Sequence, residues 1–137
     1  MIATPTLLPI VPEIASTIGR IALGALFIVH GWPKIKDPKS TIGFVKGTGF
    51  PGGAAFAVLF TLLEFFGGVA LILGFLTQIV APLIALEMVA TTVFAKTKLG
   101  KKLVLGYELD IAYLVLALML TFLGAGPWSV DRFLGIA

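Results

Sequence analysis

Four apolar runs govern what this chain can fold into. They cover roughly residues 14–32, 54–76, 78–94 and 107–123, and at 1.5 Å of helix rise per residue each can cross about 30 Å of hydrocarbon, the third only just. None shows the strict alternation of a lipid-facing barrel strand, so all four are read as helices. Spans two and three are separated only by Gly74-Phe75-Leu76-Thr77-Gln78, which predicts a tight hairpin. Composition agrees: 58% of the residues are hydrophobic and 12% charged, with mean hydropathy +1.08. A soluble domain carries about 25% charged residues, and a globule of this size could not hide so much apolar surface. An ordinary soluble enzyme, a disordered chain and a nucleic-acid module are thereby excluded. The sequence pI near 9.4 is no nucleic-acid signal, because the net charge is only +3. The expected fold is all-α: one domain over residues 1–137, an integral membrane four-helix bundle of antiparallel up-down topology.

With no cysteine, thiolate metal sites, disulfides and thiol catalysis are excluded. One histidine, His30, leaves haem ligation dependent on Met or a partner subunit, so no flavin, haem or metal is expected within this chain alone. The N-terminal lead-in has Pro5, Pro9 and Pro12 but no basic n-region, and reads as something other than a cleaved signal peptide. The 33–53 connection holds Lys34, Lys36, Lys39 and Lys46, and the 95–106 connection holds Lys96, Lys98, Lys101 and Lys102. On the other side only Arg132 flanks a span, so both lysine-rich loops are expected in the cytoplasm and both termini outside. Topology and lipid contact are the plainest account of these lysines. Residues 47–53, rich in glycine, read as a surface turn or a partly re-entrant segment. Trp32 and Trp128 suit the interfacial belt.

The remaining charges fall inside the spans, where an unpaired one costs at least about 2.5–3.5 kcal/mol. Arg20 lies in span one, Glu64 in span two, Glu87 in span three and Asp110 in span four, with Glu108 at that span's edge. Counting from span centres puts Arg20, Glu64 and Glu87 within about 3–5 Å of one plane. By the same count His30 and Asp110 form a second layer about 7–12 Å toward the cytoplasm. Glu64 shares a helix face with Thr61 and Gly68, Arg20 with Gly24 and Phe27, and Asp110 with Tyr113 and Ala117. Arg20 can offset one carboxylate; the other is left without a cation and becomes a candidate proton acceptor and donor. The plainer alternative is an Arg–Glu staple that only fixes helix register.

Three motifs carry a resemblance. Arg20-x3-Gly24-x5-His30-Gly31-x2-Lys34, the second-span pattern Glu64-x2-Gly67-Gly68-x2-Leu71-Ile72-x-Gly74, and the tail Gly124-x-Gly126-x2-Ser129-x-Asp131-Arg132 together resemble the DoxX-like family. This resemblance covers nearly the whole chain and implies a compact four-helix membrane protein. It also implies association with quinone-linked oxidoreductase systems. The leading expectation is therefore a redox-associated subunit that binds a quinone-like lipid. Glu64, Glu87 and Asp110 are its candidate proton-handling residues, and Arg20, His30, Lys34, Glu108 and Tyr113 its candidate ligand-binding residues. The chain would act with a partner oxidoreductase subunit or as a homo-oligomer in the plasma membrane. A non-enzymatic scaffold subunit and a small transporter or channel are the alternatives.

Overall fold

The computed structural model describes residues 8–136; of the lead-in prolines, Pro5 lies outside that range. Among the described residues the fold is helical, with no strand. Helix α1 spans Pro12–Lys36 and opens on Pro12, at a position where a missing N–H is no loss. Helix α2 spans Pro38–Gly47, with Asp37 accepting from the Ser40 N–H at its start. The second span, Gly53–Leu73, is built from α3 (Gly53–Leu62), a π-helical turn at Leu63–Gly67 and α4 (Gly68–Leu73). Helix α5 spans Thr77–Thr97 and α6 spans Glu108–Leu123. A four-residue helix, α7, spans Val130–Phe133.

Four helices are thus long and apolar enough to cross a membrane. Their outward faces carry large apolar side chains such as Ile18, Leu59, Leu86 and Phe122, where lipid takes the place of water. The inward faces share a core of Leu23, Phe27, Leu71, Ile84, Met88 and Leu120. Burial does not drive helices together inside lipid, so close packing must. The tightest crossing is Gly24 of α1 against Gly68 of α4: a Cβ on Gly24 would lie 2.5 Å from the Gly68 carbonyl oxygen, and a Cβ on Gly68 would lie 2.7 Å from that of Gly24. Contacts ascend one helix as they descend the other. Arg20 meets Leu71, Gly24 meets Gly68, Gly31 meets Phe65 and Lys34 meets Glu64.

Two boundaries differ from expectation, for physical reasons. Span one was expected to stop at Trp32, before Pro33. The helix instead continues to Lys36, because proline removes one N–H and only one turn follows it. That extra turn carries Lys34 on α1 instead of in the loop. The 33–53 connection is accordingly not a long surface loop. Its first four residues belong to α1 and the next ten after Asp37 are α2, so the only sizeable stretch outside a helix is the 48–52 turn, with Gly49 and Gly52 at positive φ. Before α6, residues 103–107 kink: Leu105 sits at φ 58° and Gly106 at φ −136°. Regular helix begins at Glu108.

Candidate functional site

The π-helical turn inserts one extra residue per turn into the second span, a feature that often marks functional sites. Glu64 lies within it and is buried. The Lys34 ammonium reaches it from the last turn of α1, at 2.7 Å from Oε1 and 2.5 Å from Oε2. Glu87, at the middle of α5, is 2% exposed, and neither of its oxygens has a hydrogen-bond partner among the described residues. Its charged neighbours are Glu64, Lys34 and Asp110. Lys34 thus pairs with Glu64 alone, and the Glu87 carboxyl sits beside that pair without a bonded cation.

His30, Tyr113 and Asp110 adjoin this trio. The Tyr113 hydroxyl lies 3.4 Å from His30 Nε2, and the Tyr113 ring packs edge-on against Phe27 at 5.5 Å. Asp110 has Lys101, His30, Glu64 and Lys34 as ionisable neighbours. His30 itself is exposed at the side of the bundle. Glu64 and Glu87 of the first expected layer therefore meet His30 and Asp110 of the second in one polar cluster built from α1, the π-helical turn, α5 and α6.

Beside the ion pair lies a cavity of about 120 Å³. Phe44, Phe50, Phe56, Phe60 and Phe94 line it, and Lys34 and Glu64 form its polar wall. Phe50 packs edge-on against Phe94 at 5.2 Å and against Phe56 at 5.4 Å. Five phenylalanines make up its largest side chains, Thr41, Val45, Ala57, Thr61 and Thr91 complete the lining, and Lys34 and Glu64 are its only charged residues. No group of three or more His, Asp or Glu side chains suited to hold a metal ion occurs among the described residues.

Arg20 is not part of this cluster. It is fully buried, but its guanidinium faces the opposite end of the bundle. Nη1 donates to the carbonyls of Leu71 at 3.0 Å and Ile72 at 3.2 Å, and Nη2 donates to that of Trp128 at 2.8 Å. The last carbonyls of a helix have no partner within it and carry its negative end, so a guanidinium there is well matched. The cation beside Glu64 and Glu87 is Lys34. Glu108 also stands apart, exposed and accepting from the Leu105 N–H at 2.7 Å. It holds the kink before α6.

Asp131, which the sequence shows only as a member of the tail motif, is a central part of the Arg20 end. Asp131 is buried, and its two oxygens accept from the N–H groups of Leu76 at 2.6 Å and Thr77 at 2.9 Å. It thereby caps α5 and holds Leu76 at φ 50°. Gly74 completes the clamp at φ 66°, where a Cβ would come within 2.6 Å of Arg20 Nη1. The tail motif, with Ser129 and Asp131 in fixed order, was the available signal.

The DoxX family profile matches residues 15–97. The chain is 32% identical to the inner membrane protein YqjF of Escherichia coli over 125 residues, 89% of this chain and 93% of that one. It is 29% identical over 124 residues to CatD of Bacillus subtilis, provisionally named an oxidoreductase, covering 88% of this chain and 87% of CatD. It is also 29% identical over 125 residues to the uncharacterized membrane protein Rv3486 of Mycobacterium tuberculosis, covering 82% and 77%. No solved structure matches significantly.

Proposed function

The chain belongs to the DoxX family of membrane proteins, and on that footing we propose that it is a multi-pass subunit of a quinone-linked redox system. In this reading it binds a quinone-like lipid and handles its protons. The observation that carries the reading is the aromatic cavity ending on Lys34–Glu64, with the unpartnered carboxyl of Glu87 behind it. The provisional name of CatD supports it.

A quinone, when bound, supplies a couple in which protons move with electrons. The residues of this chain do the rest. The ring faces of Phe50, Phe56 and Phe94 hold a planar group and exclude water. The Lys34 ammonium donates to an oxygen acceptor at the cavity's polar end. Glu64 and Glu87, with one ammonium between them, have room for one proton to be taken or given at a carboxyl oxygen. Tyr113, His30 and Asp110 lead from that pair toward the lysine-bearing loops, which face the cytoplasm in this reading. Flavin, haem or metal would come from a partner oxidoreductase.

The test uses the full chain in nanodiscs. Saturable binding of a quinone is expected, with proton exchange on its reduction that Glu87→Gln removes while leaving binding in place. If no quinone binds saturably, the ligand is wrong. If Glu64→Gln and Glu87→Gln both leave proton exchange unchanged, the carboxyls only fix helix register, as a scaffold subunit would need.

A further inference from the structure

A second cavity, of about 220 Å³, lies between α2 and the second span. Ile35, Pro38, Ile42, Val58, Leu62 and Phe66 line it. It shares Thr41, Ala57 and Thr61 with the aromatic cavity. Both threonine hydroxyls donate along their own helices, Thr41 to the Asp37 carbonyl at 3.1 Å and Thr61 to that of Ala57 at 2.7 Å. The three residues common to the two cavities therefore offer no free hydroxyl donor. An anion passing there would lose its water with no donor to replace it, whereas a hydrocarbon chain would lose nothing. The outer cavity opens toward lipid, since Val58, Leu62 and Phe66 are 43%, 45% and 58% exposed.

Size and charge point the same way. Ordinary ligand sites begin at about 300 Å³, so neither cavity holds a whole ligand, but the two together reach that range. Only the inner one is charged. The Lys34 ammonium has three N–H donors; two go to Glu64, and the third has no acceptor among the described residues.

We propose that the two cavities are the head and tail halves of one lipid site, taken up sideways from the bilayer between α2 and α3. The head is a planar ring with an oxygen acceptor for Lys34, and the tail is an isoprenoid or alkyl chain. This rests on the quinone reading above and narrows it: the ligand is a tailed quinone, and small water-soluble quinones are not the natural occupants. The tail gains little over lipid by leaving the bilayer, so the groove selects by accommodating it.

The experiment compares a decyl-tailed benzoquinone with the same ring lacking its tail, both titrated against the full chain in nanodiscs and corrected for partition into empty discs. Val58→Trp and, from the opposite wall, Ile42→Trp fill the groove. Each should weaken the tailed probe by about tenfold or more and leave the tailless probe unchanged, which also shows that the variant is folded. On the wild-type chain, a photoreactive group at the tail's end should label peptides containing Val58, Leu62 or Ile42. Unchanged affinity for the tailed probe in both variants overturns the proposal while the quinone reading stands. So does label spread evenly over lipid-facing positions such as Leu86 and Phe122. If neither probe binds the wild-type chain, the quinone reading fails and the tail groove with it.

Discussion

Replacing Arg20 by methionine keeps most of the side-chain volume and removes every donor. Three charge-assisted bonds disappear, to Leu71, Ile72 and Trp128, and their carbonyls lose a buried partner. At the average of about 0.6 kcal/mol measured for hydrogen bonds between membrane helices, the loss is about 2 kcal/mol. At about 1.5 kcal/mol for each bond to a charged group, it approaches 4.5 kcal/mol. We expect Arg20→Met to destabilise the fold by about 2–4.5 kcal/mol. The assay is reversible unfolding in mixed micelles. A Trp32→Phe background leaves Trp128 as the sole tryptophan, so its fluorescence also reports whether the tail has detached. Arg20→Lys keeps the charge but loses the planar fork, and should fall between the two. Because Arg20 and Glu64 do not touch, Arg20→Met and Glu64→Gln should be additive within about 0.5 kcal/mol. An Arg20→Met variant of wild-type stability, or strong coupling to Glu64, would refute this reasoning.

Gly68→Leu forces α1 and α4 apart at the Gly24 crossing, and should cost several kcal/mol or prevent assembly, read by the same unfolding curve. Lys34→Met leaves Glu64 buried without its cation and should destabilise by about 1–3 kcal/mol, less than a fully buried pair because Lys34 is 38% exposed; adding Glu64→Gln should restore most of that loss. Asp131→Asn removes one of two acceptors at the start of α5 and should cost about 1–2 kcal/mol, with Trp128 emission shifting alongside. Glu108→Gln touches only the kink before α6 and should leave quinone binding in nanodiscs unchanged.

The apolar runs were enough to read the four spans, and the depth count correctly put Glu64 and Glu87 side by side. Each sits at or next to the middle of a 21-residue span, so its depth follows from its position. Arg20 shows where depth counts stop working. Span one was cut short at Pro33, which moved its apparent centre toward Arg20. In the 25-residue helix that forms, Arg20 lies four residues from the middle, about 6 Å off the carboxyl plane. The same truncation hid Lys34 as the true counter-ion. The aromatic cavity was not legible at all, because its Phe44, Phe50, Phe56 and Phe94 come from four segments that only tertiary packing brings together. Nor was the contact of Gly24 with Gly68, which lies across two helices.

The Arg20 clamp has a consequence for the order of assembly. Arg20 enters the bilayer with the first span, but its first acceptor comes 51 residues later and its last 108 residues later. Until then it is a charge in lipid with nothing to donate to, a costly state. During synthesis, therefore, the first span has to be sheltered, by the insertion machinery or near the headgroups, until the second span arrives. The Arg20 end of the bundle closes only once all four spans have been made and Trp128 has reached the guanidinium.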